Sequence, residues 1–74
     1  MSSYSDEVYK SIGMNLRQIR TQKGISQEKL SEILDVNSKF IGHVERFERY
    51  ISLKRLIQLA EYFKVDVDYF FKRV

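Results

Sequence analysis

The spacing of the apolar residues is the feature that most limits what this chain can fold into. From residue 8 onward, aliphatic side chains recur at intervals of three and four, and the first such run consists of Val8, Ile12, Leu16 and Ile19. This interval places side chains on one face of an α-helix, whereas a half-buried strand needs polar and apolar residues in alternation. No long stretch of the chain alternates in that way, and the chain contains no proline. The pattern therefore predicts an all-α protein.

Residues that favour the ends of helices divide this pattern into segments. Ser5 is a good N-cap for a first helix, with acidic residues in its first turn, and Gly24 is a residue type at which helices often end. Ser26 is suited to cap a second, short helix from Gln27 to about Leu34. We expect the buried face of that second helix to consist of three aliphatic residues, Leu30, Ile33 and Leu34.

The third predicted helix is preceded by a tight turn at residues 35–37. Asn37, the last residue of this turn, is a strong N-cap, so we expect the helix to span residues 38 to about 47. Ile41 and Val44 would then face the interior, because they lie three positions apart on one side of the helix.

Two more helices are predicted in the last third of the chain. Ser52 is suited to cap a fourth helix, and Asp66 a short fifth helix that ends at residues 70–71. The fourth helix carries five apolar residues at helical spacing, namely Leu53, Leu56, Ile57, Ala60 and Phe63. Five short helices in 74 residues predict an all-α bundle whose helices cross at large angles.

Length and composition restrict the chain to one small domain. We expect residues 1–74 to form it, with residues 1–7 as a flexible or frayed N-terminal extension. The absence of cysteine excludes disulfides and thiolate metal sites and suits a reducing cytoplasm, and the single histidine makes any metal site unexpected. No run of about 18 apolar residues is present, so we expect no membrane partner.

The distribution of charge is more informative than its total. The net charge is +3 and the isoelectric point is about 9.3. Between residues 10 and 29 there is one acidic residue, Glu28, against five basic ones: Lys10, Arg17, Arg20, Lys23 and Lys29. A local basic surface attracts phosphate, although an ordinary solvated helix face would look the same at this point.

The second and third predicted helices, joined by about three residues, form a helix-turn-helix arrangement. The second of two such helices projects from the protein and fits the major groove of DNA, where its N-terminal residues reach base edges. Here its outward positions would be Ser38, Lys39, Gly42, His43 and Arg46. A polar outer face is normal for any amphipathic helix, so this pattern is not specific by itself.

Short motifs in the sequence are more specific than this polar face. Five segments resemble, in the right order, the phage-repressor (Cro/XRE) helix-turn-helix family: Leu16–Arg20, Gly24–Leu30, Ile41–Arg46, Ser52–Ala60 and Val65–Phe71. The resemblance covers residues 12–71 and implies a five-helix, lambda-repressor-like domain. It also implies a transcriptional regulator that acts as a dimer on a pseudo-palindromic operator in double-stranded DNA. Small stand-alone members, such as restriction–modification controller proteins and phage or plasmid repressors, are the most similar in size.

The resemblance implies roles for matching residues of the second and third helices. Gln27 would hydrogen-bond a DNA phosphate and also brace the third helix, and Asn37 would lie near the DNA backbone. Three residues would face the bases, namely Ser38, Lys39 and His43, although Lys39 could instead face a phosphate and His43 could be a solvated residue. We also expect contacts to the DNA backbone from three arginines: Arg17, Arg46 and Arg49.

Further contacts are expected inside the protein and between its copies. Phe40 either reads a thymine methyl group or packs against Phe47 or Val44. By resemblance, Arg20 and Glu45 form a partly buried ion pair between the first and third helices. The aromatic surface of the C-terminal third exceeds what one small core needs, and this suggests a dimer interface formed by Tyr62, Phe63, Tyr69, Phe71 and Val74.

The chain departs from the family pattern at three places. Asp35 stands where a turn glycine is usual, and aspartate tolerates the left-handed conformation better than most residues. Gly42 replaces a small serine, and its missing Cβ would let DNA approach closely. In the loop at residues 47–51, Glu48 stands where the family often has a basic residue, and it would repel a nearby phosphate.

Two other classes of function are weighed against DNA binding. An enzyme is not expected, because the sequence offers neither a plausible nucleophile–base pair nor a glycine-rich phosphate loop, and no cofactor or small-molecule ligand is implied. A helical protein-interaction module, such as an antitoxin or the partner of another regulator, remains open. Such a module would show no steep salt dependence of binding to duplex DNA.

Overall fold

Serine side chains begin three of the helices. In the computed structural model, which describes residues 3–73, Ser26 Oγ accepts a hydrogen bond from the Lys29 amide at 3.0 Å, and Ser52 Oγ accepts from the Arg55 amide at 3.2 Å. Ser3 Oγ accepts from the Asp6 amide at 3.1 Å. The elements are α1 (Tyr4–Gln22), α2 (Gln27–Ile33), α3 (Phe40–Glu45), α4 (Leu53–Phe63) and a 3-10 helix (Val67–Phe71).

The predicted all-α class is therefore correct, with two differences at the ends of the chain. The fifth predicted helix is a single stretch of 3-10 helix rather than α-helix. The first helix is capped by Ser3 and not Ser5, so residues 4–7 are helical and are not an extension. The first turn of α1 also contacts the C-terminal part of the chain. Arg73 lies 3.5 Å from the Glu7 carboxylate and over the ring of Tyr4.

Every element contributes to one core. Each helix contributes at least one fully buried apolar residue to the centre: Ile12 and Leu16 from α1, and Leu30, Ile41, Leu59 and Phe70 from the others. Buried Asn15 of α1 ties the end of the chain to this core, since its Nδ2 donates to the carbonyl oxygens of Phe70 and Lys72 at 3.1 and 2.7 Å. Among residues 3–73, no helix is long and apolar enough to cross a membrane.

Three apolar residues at helical spacing are exposed, and one of them, Ile33, was expected on a buried face. Ile33 lies at the last position of the seven-residue α2, and its side of the helix is turned away from the core, which receives Leu30, Ser31 and Leu34 instead. Leu53 and Ile57 lie on the outer side of α4, with 61% and 44% of their surface exposed. Helical spacing predicted an apolar face on these helices but not which part of it is covered.

The four α-helices of the described residues, 3–73, end in the same way. After each helix one residue has the left-handed conformation, and the amide of the following residue bonds back to a carbonyl five residues earlier, which is the Schellman motif. The left-handed residues are Gly24, Asp35, Phe47 and Lys64, with φ between 58° and 68°. The turn at Asp35 thus forms with aspartate in the left-handed conformation, as the sequence predicted.

Gly13 allows α1 to pack closely against the end of α3. A Cβ atom at this position would lie 2.7 Å from the carbonyl oxygen of Val44 and 2.9 Å from the ring of Phe47. These distances are shorter than carbon tolerates, so any larger residue would push the two helices apart. The absence of a side chain at residue 13 therefore sets the position of α3.

Candidate nucleic-acid interface

The helix α3 is held against α2 by a buried side chain. Ser31 Oγ accepts a hydrogen bond from the Ile41 amide at 3.2 Å, and Ile41 and Val44 are both buried, as expected. α3 is shorter than predicted, since it begins at Phe40 and not at residue 38. Asn37 Oδ1 accepts from the Lys39 amide at 2.9 Å, so this side chain closes a turn before the helix and leaves Ser38 and Lys39 at the helix entrance.

A buried charged network joins α3 to the two preceding helices. Arg20 Nε lies 2.6 Å from Glu45 Oε2 and Arg20 Nη2 lies 3.0 Å from Oε1, in a bidentate pair. The side chains are 12% and 2% exposed. Arg20 Nη1 also donates to the Ile25 carbonyl oxygen at 2.9 Å, and Gln27 Nε2 donates to Glu45 Oε1 at 2.9 Å. The predicted partners are therefore in contact, and Gln27 braces α3 directly.

The outer face of α3 is polar. Ser38, Lys39 and Arg46 are exposed and His43 is half-buried. The three exposed residues, together with residues of α2 and Gly42, border a shallow groove, whose lining is Gln27, Glu28, Ser38, Lys39, Gly42 and Arg46. The other residues expected at the DNA backbone, Arg17, Asn37 and Arg49, are all exposed.

Two residues of α3 are not available to DNA in the way the sequence suggested. Phe40 is buried in the core, and the guanidinium groups of Arg49 and Arg55 lie 5.5 and 6.0 Å from the centre of its ring. Phe40 therefore packs inside the protein, beside these two guanidinium groups, and not on the outer face of α3. Gly42 is buried as well, because the side chain of Gln27 covers it: a Cβ at residue 42 would lie 3.0 Å from Gln27 Oε1.

The end of α3 carries a cluster that sequence reasoning missed. His43 Nδ1 lies 2.7 Å from Glu48 Oε1, and Arg46 Nη2 lies 3.3 Å from the same oxygen. The hydrogen bond from His43, and then that from Arg46, lower the pKa of the Glu48 carboxyl below its ordinary value. Glu48 was expected only to repel phosphate. The spacing of five residues gives no helical signal, because the Schellman turn at Phe47 is what folds Glu48 back.

The residues proposed for dimerisation differ in exposure. Tyr62 and Phe71 are exposed and Tyr69 is half-buried, whereas Phe63 belongs to the core and offers no surface to a partner. Val74 lies outside the described residues. The exposed Leu53 and Ile57 of α4 add further apolar surface in this part of the chain.

Comparison with known proteins gives one consistent result. Residues 16–70 match the family model described as Helix-turn-helix. Control protein C.SmaI of Serratia marcescens is 42% identical over 53 residues, which cover 72% of this chain and 63% of that protein. An uncharacterised HTH-type transcriptional regulator of Rickettsia prowazekii is 34% identical over 61 residues, which cover 82% of this chain. Only 47% of that regulator is covered, so the chain spans about half the length of such a relative.

Solved structures agree with the sequence matches. The restriction–modification controller protein C.AhdI of Aeromonas hydrophila superposes with a TM-score of 0.76 at 35% identity, over 92% of this chain and 100% of that chain. The match to the family model, over residues 16–70, includes α2, α3 and α4. The chain belongs to the helix-turn-helix family of the Cro/XRE type.

Proposed function

We propose that this protein is a sequence-specific regulator of transcription that binds double-stranded DNA as a dimer on a pseudo-palindromic operator. The observation that carries the proposal is that one side of α3 is fixed to the protein and the other side is free. Its inner side is fixed by the buried contacts of Arg20, Gln27 and Ser31, while its outer side presents polar and cationic groups. A rigid helix with such a face is what entry into the major groove requires.

Within this proposal, Ser38, Lys39 and His43 read bases. Contacts to phosphate come from Gln27, Asn37, Arg17, Arg46 and Arg49. Gln27 has donors for both of its roles, since a side-chain amide carries two hydrogens and the bond to Glu45 uses one of them. Phosphate contacts set the register of the protein on the duplex, and base contacts supply the choice of sequence.

Dimerisation follows from the size of the reading surface. A helix as short as α3 reaches only a few base pairs, so two copies are needed for a specific site. We place the interface in the C-terminal third, where Leu53, Ile57, Tyr62 and Phe71 are exposed. The two half-sites should then lie roughly 34–36 Å apart, about one helical turn.

The biological role that we favour is that of a small controller. C.SmaI and C.AhdI are a control protein and a restriction–modification controller protein by name, and this chain is similar to both over most of its length. Assembly and DNA binding are then linked by mass action, so the concentration of the protein itself would set the response. Its proposed place of action is the cytoplasm, whose reducing conditions suit a chain without cysteine.

Selection of bound duplexes from a random pool tests the proposal. We expect a two-fold symmetric site, and we expect its affinity to fall steeply with salt because several phosphate contacts release counterions. Sedimentation with and without the selected site should show a dimer. A protein that selects no sequence, and whose weak binding to duplex DNA does not depend on salt, would overturn the proposal in favour of a protein-interaction module.

A further inference from the structure

The only histidine of the chain lies on the proposed reading surface, and one of its two ring nitrogens is engaged. His43 is on the outer side of α3, and its Nδ1 lies 2.7 Å from Glu48 Oε1. Arg46 Nη2 is farther from the same nitrogen, at 3.5 Å. The other nitrogen, Nε2, points away from this contact because it lies on the opposite edge of the five-membered ring.

The contact selects one form of the imidazole. Two acceptors do not approach to 2.7 Å, so one of the two atoms must carry a hydrogen. A carboxyl group is ordinarily ionised near neutral pH, and the hydrogen bonds from His43 and then from Arg46 lower the pKa of the Glu48 carboxyl further, so the carboxylate only accepts. The hydrogen is therefore on Nδ1, and in the neutral ring Nε2 is then an acceptor.

The backbone holds Glu48 in this place. The Glu48 amide donates to the His43 carbonyl oxygen at 2.8 Å, as the outer bond of the Schellman motif that ends α3. Phe47, at φ 66°, makes the turn that brings residue 48 back over residue 43. Arg46 Nη2 lies 3.3 Å from the same carboxylate oxygen, Oε1, and gives it a second cationic contact. Glu48 is thus a positioned side chain and not a free surface charge.

We propose that Glu48 is a positioning residue that presents His43 Nε2 as a hydrogen-bond acceptor, so that His43 selects a base with an exocyclic amino group in the major groove. Adenine offers N6–H₂ and cytosine N4–H₂ at that edge, whereas guanine and thymine offer only acceptors there. The proposal rests on the proposed function for its second half. Its first half, the form of the imidazole, is a property of the protein without DNA.

Nitrogen-15 spectra of the free protein test the first half. The single histidine gives one unambiguous pair of ring nitrogens, and we expect the Nδ1–H form at a pH where the ring is neutral. Glu48→Ala should lose this preference, whereas Glu48→Gln should keep it, because its amide oxygen still accepts. A wild-type spectrum that shows the Nε2–H form overturns the proposal whatever the protein does with DNA.

Binding to the selected site and to its single-base variants tests the second half. Glu48→Ala and Glu48→Gln remove the same negative charge, so a change in DNA binding that both variants show reports on charge alone. We expect the wild type and Glu48→Gln to prefer adenine or cytosine at one symmetric pair of positions, and Glu48→Ala to lose about three- to tenfold of this preference. Equal base preferences in the two variants overturn the reading role. A protein with the Nδ1–H form that binds no DNA overturns the proposed function and, with it, the reading role.

Discussion

At the scale of single residues, Glu45 is the side chain on which the candidate interface depends. Its carboxylate is almost fully buried and accepts hydrogen bonds from both Arg20 and Gln27. A buried carboxylate is costly without such partners, because it loses its hydration. The three residues come from α1, α2 and α3, so this one group holds together the helices that present the proposed reading surface.

Removal of one partner of the ion pair should be strongly destabilising. We expect Arg20→Ala to lower the free energy of unfolding by about 3–5 kcal/mol, because only the Gln27 amide would remain beside the buried Glu45 carboxylate. Chemical denaturation of Arg20→Ala, Glu45→Ala and the double variant measures this. The double variant should lose much less than the sum of the single losses, and additive losses would show that the two residues are not coupled.

Gln27 should affect both stability and DNA binding. Gln27→Ala loses a hydrogen bond to a buried carboxylate, which is worth roughly 1.5–3 kcal/mol of stability. It should weaken binding to every DNA sequence, with little change in salt dependence, because glutamine is neutral. Unfolding curves and binding to operator and random duplexes give the two readouts. A variant with normal affinity for random DNA that misreads one operator position would contradict the phosphate role.

Lys39 provides the complementary case, because it is exposed at the entrance of α3. Lys39→Ala should leave the free energy of unfolding within about 0.5 kcal/mol of the wild type. If it reads a base, as we propose, the variant should lose about 1–3 kcal/mol of discrimination at one symmetric pair of operator positions and keep most of the salt slope. A uniform loss on all sequences, with a slope smaller by about one unit, would place Lys39 on a phosphate instead.

At the scale of helices, the ends are more uniform than the sequence suggests. All four α-helices stop in Schellman motifs, yet only one of the four left-handed residues is glycine. A residue with a Cβ atom adopts this conformation at a cost of roughly 1–2 kcal/mol. Phe47 is the most unusual of the four because it has two further roles. Its ring packs close to Gly13, and its left-handed turn brings the next residue, Glu48, back to His43. The turn at Phe47 therefore both ends α3 and fixes its position against α1.

The cost of the left-handed conformation can be removed at Lys64, at the end of α4, because this residue is exposed and makes no core contact. Lys64→Gly should raise the free energy of unfolding by about 0.5–1 kcal/mol, because the gain at φ 59° exceeds the extra entropy of glycine in the unfolded chain. Lys64→Ala is the matched control and should give no such gain, since alanine keeps the Cβ. Denaturation of both variants decides, and equal stability of the two would contradict the account of this helix end.

At the scale of the whole molecule, one side of α4 is apolar and uncovered. Leu53 and Ile57, four residues apart, share that side, and Leu53 borders an apolar groove together with Tyr4, Val8 and Phe71. This surface continues from α4 to both ends of the described chain. It is the part of the C-terminal third that is best suited to a second copy.

Disruption of that surface should dissociate the proposed dimer and leave the fold intact. We expect Ile57→Lys to sediment as an 8.9 kDa monomer and to lose affinity for the full site, because each copy alone contacts one half-site. Gln58→Lys introduces the same charge at the next, exposed residue of α4 and should remain dimeric. If Ile57→Lys forms dimers that are as stable as those of Gln58→Lys, the interface does not include Ile57.

Features that depend on near neighbours in the chain were accessible from the sequence alone. The caps at Ser26 and Ser52, the all-α class and the left-handed turn at Asp35 all arise from interactions within about five residues. The resemblance to a family added the pairing of Arg20 with Glu45, which no local rule supplies. These elements suffice to locate α3 in the chain and to name most of its outward residues.

Other features were decided only by how the helices cross. Phe40 and Ile33 both lie on short helices with apolar spacing, yet Phe40 is buried and Ile33 is exposed, because the positions of α1 and α4 determine which side of each helix is covered. The contact of His43 with Glu48 needs the turn at Phe47, and that turn packs on Gly13, more than thirty residues earlier in the chain. Burial and side-chain pairing of this kind depend on distances between distant segments, which only tertiary packing sets.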